Sequence, residues 1–123
     1  LAGSGSDGDL ATSVGAPPEE LASAADFIAA YEAAGFAEPY AAYGPMSYDA
    51  ANAIIEALKV ALPTATDAKS AREAIVAATN DVAFDGASGR VEFDDYGDTI
   101  TRTITVYKVA NGAWGTEKVV SLD

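Results

Sequence analysis

The stretch Tyr40-Ala-Ala-Tyr43-Gly-Pro-Met46-Ser-Tyr48-Asp49-Ala-Ala-Asn-Ala-Ile54-Ile55-Glu-Ala-Leu58 decides how the rest of the chain is read. An aromatic loop carrying glycine and proline runs without a break into an apolar helix. A loop anchored by such a helix presents side chains with little freedom to move, which suits a ligand site. Tyr43 would offer a large rigid wall with a hydroxyl, and Met46 an adaptable apolar neighbour. Taken alone, the stretch favours the plainer reading, in which its tyrosines only pack.

Periodicity predicts a helix from near Ser47 to just before Pro63. Its apolar stripe is Ala50/Ala51, Ile54, Ile55, Leu58 and Leu62, and Asp49 sits in the first turn, where a carboxylate suits the helix dipole. Alanine on several faces implies close neighbours, so this should be the most buried helix. Upstream, a helix is predicted over about Ala22 to Ala34, with Ser23 and Asp26 as a capping box. Leu21, Ala24, Ile28 and Tyr31 share a face, Gly35 supplies a left-handed stop, and Phe36 can fold back over the last turn. Downstream, a helix over about Asp67 to Thr79 is capped by Thr66 or Asp67. Its inner face is Ala71, Ala74, Ile75 and Ala78, and Asn80 stops it.

Past Asn80 the pattern changes. Val82-Ala-Phe84 leads into the turn-rich Asp85-Gly-Ala-Ser-Gly89, and Arg90-Val-Glu-Phe93 alternates as a strand. After the turn Asp94-Asp-Tyr-Gly-Asp98, Thr101 to Val109 is the clearest strand. Ile104 and Val106 lie on one face of it, and Thr103, Thr105, Tyr107 and Val109 on the other. Asn111-Gly112 is a strong hairpin signal, followed by Trp114 and a strand over Glu117 to Val120. At the other end, Leu10 to Val14 reads as a short strand or crossing segment, ended by Gly15-Ala-Pro-Pro18. Gly3-Ser-Gly5-Ser-Asp-Gly8 matches the dinucleotide-binding glycine pattern in letters only. No strand precedes it and no helix starts after it, so it reads as a flexible loop.

A chain of 123 residues fits one domain with one core. The net charge of −12 and seven scattered Lys and Arg argue against nucleic acid and against anionic membranes. There is no cysteine and no histidine, which removes disulfides, thiolate chemistry, His-based catalysis and the usual zinc and copper sites. No apolar run approaches the roughly 20 residues that cross a bilayer. Asp81, Asp85, Asp94, Asp95 and Asp98 gather around two turns, yet without the EF-hand spacing, and Asp and Gly are what turns require anyway. Nothing isolates one carboxylate in an apolar pocket for glycoside hydrolysis. Serine has neither a histidine nor a Ser-x-x-Lys partner. We therefore expect no enzyme, no metal and no cofactor.

Three helices followed by a small antiparallel piece make an uncomfortable domain. Helices with such stripes need a sheet to cover, and the few strands are short or flanked by turns. The inventory suggests a missing partner segment, in a chain that begins at Leu1 because it is mature, tagless or cut from something longer.

The motifs, in order, resemble a family. Phe27-Ile-Ala-Ala-Tyr31-Glu-Ala-Ala-Gly35-Phe is followed by Tyr43-Gly-Pro-Met-Ser-Tyr48-Asp49-Ala50-Ala51. Then comes Phe84-Asp-Gly86-Ala-Ser-Gly89-Arg-Val-Glu-Phe93-Asp94-x-x-Gly97-Asp98. Together they look like the C-terminal third of the branched-chain amino acid type of extracytoplasmic solute-binding protein, the periplasmic-binding fold of type I. Pro17-Pro-Glu-Glu-Leu21 resembles the segment after that family's interlobe crossing. The stretch Gly44-Pro45-Met46-Ser47 is longer than the family's commoner spacing before Tyr-Asp-Ala.

The resemblance implies an α/β fold class, here an incomplete part of one periplasmic-binding-protein-like type I lobe. It places a linker and interlobe crossing in residues 1–16 and the C-terminal return into the N-terminal lobe in 17–123. It implies a non-enzymatic, extracytoplasmic protein that captures amino acids or similar small solutes for an ABC importer. Tyr43, and less directly Met46, would face the ligand. The implied partners are the small-molecule ligand, an ABC permease, and the remainder of its own chain or further copies of itself. Two alternatives stay open: a ligand-sensing or regulatory domain of the same fold, and an interaction domain that binds no ligand.

Overall fold

The computed structural model describes residues 3–122. They fall into two compact units, one of residues 21–101 and one of residues 3–20 with 102–122.

Within the first unit, a 3-10 turn over Ala22–Ala24 leads into α1 (Ala25–Ala34). Gly35 closes that helix with a φ of 67°, a left-handed conformation that glycine adopts without a Cβ clash. The predicted fold-back of Phe36 is present, its ring centroid 4.8 Å from that of Tyr31. The capping box is not. No side chain caps α1, and the Ser23 hydroxyl donates instead to the Ala87 carbonyl at 3.0 Å. A hydroxyl that finds an acceptor on a distant loop no longer serves its own helix end.

The second helix, α2, spans Gly44–Ala61 and is followed by a 3-10 turn over Leu62–Thr64. It starts three residues before the predicted Ser47, because Pro45 in its first turn has its φ preset for a helix and has no N–H to satisfy. Its buried residues are Pro45, Asp49, Ala53, Ala57 and Ala61, so it is the most buried helix, as expected. The last four recur at a spacing of four and form one face. The predicted stripe is different. Ile54, Ile55 and Leu62 are about half exposed, at 53%, 47% and 54%. Small side chains win the inside position because they let the backbone of α2 approach its neighbours closely.

Those neighbours are α3 (Ala68–Asn80) and the hairpin of β2 (Ala83–Gly86) with β3 (Gly89–Glu92). Ala53, Ala57 and Val82 form the buried cluster, with Ile75, Ala78, Phe84, Val91 and Phe93 packed around it. The hairpin pairs Ala83 with Glu92 through Gly86 with Gly89, so the ladder runs further into the turn-rich stretch than expected. Beyond β3, Phe93 and Thr99 bridge across a turn. The Asp94 carboxylate is spent there on the Tyr96 and Asp98 N–H groups, at 2.9 and 3.0 Å. Among the described residues, no group of three or more acidic side chains is placed to hold a metal ion.

The second unit is a three-stranded antiparallel sheet in the order β1 (Leu10–Val14), β4 (Thr103–Ala110), β5 (Ala113–Ser121). Leu10 opposes Lys108 and Val14 opposes Ile104. Asn111 and Gly112 form the predicted hairpin turn with φ values of 55° and 75°, the left-handed pair whose twist matches the flanking strands. The Gly112 N–H donates to Asp7 at 2.9 Å. Thr105 and Val109 are buried on the face predicted for them, and the Thr105 hydroxyl donates to the Gly15 carbonyl at 2.6 Å. No helix among the described residues is long and apolar enough to cross a membrane.

The start of α3 gives a pH test. Asp67 accepts from the N–H groups of Lys69 and Ser70, at 3.0 and 2.8 Å, and the Ser70 hydroxyl answers the Asp67 N–H at 3.1 Å. The Ser70 N–H bond, foremost, holds the Asp67 carboxyl below its ordinary value of 3.8. A depressed carboxyl stabilises the fold above the unfolded-state value, and that contribution disappears as pH falls through the folded-state value. We expect amide protection at Lys69 and Ser70, read by hydrogen exchange, to drop as pH falls below about 4. In Asp67→Asn the same drop should be smaller. Identical profiles for the two proteins would show that the charged cap contributes nothing.

Candidate functional site

The loop that carries Tyr43 is fixed at its base by rings. Phe27 lies 5.8, 5.9 and 5.4 Å from Tyr31, Tyr40 and Tyr48, and Tyr31 and Tyr40 meet edge-on at 5.7 Å. Such pairs add to the burial of their surface, by roughly 0.5–1.5 kcal/mol each. The Tyr31 hydroxyl donates to the Glu38 carbonyl at 3.0 Å, which ties the loop back to α1. Gly44 is confined: a Cβ there would meet Tyr40 Cβ at 2.9 Å and Phe27 Cζ at 3.2 Å. Ala41 takes a φ of 51°, which a residue with a Cβ adopts at some cost. The loop's path is thus set by its surroundings.

Tyr43 stands at the N-cap of α2, and its carbonyl accepts the Ser47 N–H at 2.9 Å. Its side chain is 58% exposed, whereas Met46 in the first turn is half-buried. Tyr48, the other tyrosine beside the helix start, is half exposed and meets Phe27 with the two rings tilted by 49°.

One turn further, Asp49 is 2% exposed and fully engaged. Its Oδ1 accepts the Ala87 N–H at 2.9 Å, and its Oδ2 accepts both the N–H and the hydroxyl of Ser88 at 2.6 Å. These three donors are the tip of the β2–β3 hairpin, 38 and 39 residues away. The tip wraps so closely that a Cβ on Gly86 would lie 2.5 to 2.6 Å from the Asp49 carboxylate atoms. In the sequence, Asp49 reads as a helix-dipole residue. The signal for its role was present in the small residues of Gly86-Ala-Ser-Gly89, which leave room for a carboxylate.

Beside this clamp, α1, α2 and the hairpin enclose an open groove of about 740 Å³. Phe27, Tyr31, Phe36 and Tyr48 supply an aromatic wall, and Asp26, Asn52, Glu56 and Asp85 supply polar groups. Tyr43 and Met46 do not line it. Sequence reasoning did not find this groove, because its wall is assembled from α1, the following loop and α2 only once they pack.

No protein-family profile and no curated protein matches the chain. Solved structures do. A leucine-binding protein LivK from Thermotoga maritima aligns with 98% of this chain at a TM-score of 0.71 and 28% identity. A substrate-binding protein of an ABC transporter from Desulfitobacterium hafniense, in complex with Leu, aligns with 90% at a TM-score of 0.65 and 22% identity. A solute-binding protein from R. palustris, in complex with benzoate, aligns with 96% at 0.63 and 18% identity. The chain spans about a third of the length of each, 33%, 31% and 31%. The resemblance carried by the sequence motifs therefore holds in three dimensions. The chain has the fold of one part of a branched-chain-type substrate-binding protein.

The Asp49 clamp gives the second test. In Asp49→Asn the side chain keeps its shape but one terminal atom can no longer accept, so at least one buried donor loses its partner. Loss of stability of about 1–3 kcal/mol is expected by urea denaturation. Gly86→Ala forces a Cβ into the same carboxylate and should cost a similar 1–3 kcal/mol. Asp85→Asn, on the exposed side of the hairpin, should stay within about 0.5 kcal/mol of the parent. Equal effects at all three positions would contradict the clamp.

Proposed function

We propose, from this likeness, that the chain is the C-terminal return segment of the N-terminal lobe of an extracytoplasmic solute-binding protein. Residues 1–16 serve as the linker and interlobe crossing, and 17–123 as the return. The complete protein captures amino acids or similar small solutes between two lobes and delivers them to the permease of an ABC importer, and closure about the hinge is what the permease reads. The protein is a receptor and not an enzyme. The observation that carries this reading is the alignment of 98% of the chain with a third of a leucine-binding protein. The exposed Ile54, Ile55 and Leu62 on α2 add to it, since they are the side chains that a sheet outside this segment would cover.

Within this reading Tyr43, with Met46 beside it, belongs to the wall of the ligand cleft. Tyr43 suits the role because its backbone is pinned at a helix N-cap while its ring stays open to solvent. A ligand wall works best when its position is fixed before the ligand arrives.

The test uses the full-length protein in a thermal-shift screen of amino acids and small carboxylates. One ligand class should raise the melting temperature saturably. At a hundred times Kd the gain is about 2.7 kcal/mol by linkage. Tyr43→Ala should remove most of that gain while leaving the melting temperature of the unliganded protein nearly unchanged. Stabilisation that survives Tyr43→Ala intact would overturn the site; no stabilisation by any solute would overturn the function.

A further inference from the structure

Tyr43 and Met46 do not line the aromatic groove of the Leu21–Thr101 unit, which shares Phe27, Tyr31 and Tyr48 with the base of their loop, and its chemistry selects a ligand of its own. We propose that it binds an organic cation of the quaternary ammonium class. Five aromatic side chains line it, those of Phe27, Tyr31, Phe36, Tyr48 and Phe84. The ring faces carry negative potential and attract a cation placed over them. Every charged side chain in the lining is acidic: Asp26, Asp49, Glu56 and Asp85. An anion is therefore repelled, and a cation is favoured over a neutral body of the same shape.

The hydrogen-bonding state of those acids narrows the class. Asp49 is consumed by the hairpin tip. Glu56 is shared with Lys59 at 2.6 Å, and Asp85 with Arg90 at 3.3 Å, and neither cation lines the groove. Only Asp26 makes no side-chain hydrogen bond or ion pair among the described residues. A primary ammonium brings three N–H donors whose tightly held water partners ring faces cannot replace. A quaternary ammonium brings none. It loses little hydration, spreads its charge over methyl groups, and needs only ring faces and a diffuse negative field. The groove is lined by aromatic rings, and its charged side chains are all acidic.

The probe is choline, titrated into the ¹⁵N-labelled chain at constant ionic strength, with 3,3-dimethylbutan-1-ol as its neutral isostere and ethanolamine as the primary amine. Choline should shift the amides of Phe27, Tyr31, Tyr48 and Asn52 saturably, with the two comparison compounds weaker by about two- to five-fold or more. Asp26→Asn, an exposed change, and Tyr48→Leu, which keeps apolar bulk and deletes a ring face, should each weaken choline by about the same factor. Their unchanged spectra elsewhere would show that the fold is kept. Equal binding of the neutral isostere, choline shifts that do not saturate or fall outside the groove, or choline binding unaffected by both substitutions would each overturn the proposal. Asp26→Asn leaves the rings at the base of the Tyr43 loop untouched, so its effect on choline is read apart from amino-acid capture at Tyr43.

Discussion

The carboxylate of Asp49 is the point on which the Leu21–Thr101 unit turns. It is a charge taken out of water, and such a group is tolerated inside a protein only when its oxygens are fully used. Here two backbone N–H groups and a hydroxyl converge on it from the tip of the β2–β3 hairpin. The exchange is reciprocal. The hairpin tip has no strand partner for those N–H groups, and the helix supplies the acceptor. The hairpin's position on α2 is thereby set, and with it the packing of Phe84, Val91 and Phe93 against Ala53 and Ala57. The Ser23 hydroxyl reinforces the same tip by donating to the Ala87 carbonyl, which links the entry of α1 to the arrangement.

This constraint explains why α2 buries alanine. A carboxylate is short, so for Asp49 to reach the hairpin tip the helix backbone must come close to it. The residues one, two and three turns further along that face must then be small: Ala53, Ala57 and Ala61. Isoleucine at those positions would hold the helix away and pull the carboxylate off its donors. The larger Ile54, Ile55 and Leu62 are displaced to another face, where they stay half exposed. Full burial of each is worth about 1.5–3 kcal/mol, a gain of which this segment leaves about half unrealised. A helix that offers a polar clamp on one face and unspent apolar surface on another suits a position between two layers.

The sequence was legible where the chemistry is local. The Asn111-Gly112 hairpin, the Gly35 stop, the cap of α3 and the alternation that buries Thr105 and Val109 depend on a few adjacent residues. All stand as read. It was illegible where a side chain chose between a local and a distant partner. Ser23 looked like half of a capping box, but a hydroxyl has one proton to give and gave it to Ala87. Ranking residues by hydrophobicity picked the isoleucine stripe, because periodicity alone says that a helix has a buried face and not which of two apolar faces it is. The motif order nonetheless carried the fold, since Tyr-Asp-Ala-Ala and Phe-x-Gly-x-x-Gly are the two halves of the Asp49 clamp.

The same reasoning separates the two candidate binding surfaces by how they are built. Tyr43 was visible in one dimension, because an aromatic residue between a glycine-proline loop and a helix start is presented by its neighbours in sequence. The groove has no such signature. Tyr31 reads as part of the inner face of α1 and Phe27 as flanking it, Phe36 as a cap and Tyr48 as packing, and each description is locally correct. Phe27 and Tyr48 meet only when α1 and α2 pack, and Gly44, lacking a Cβ, lets the Tyr40 loop close against Phe27 beside them. The acids around them come from α1, α2 and β2, three separate stretches of the chain. A pocket assembled this way depends on the Asp49 clamp as much as the core does, because the clamp fixes the hairpin that carries Asp85 against the helix that carries Glu56. The buried carboxylate therefore supports the groove without itself being available to a ligand.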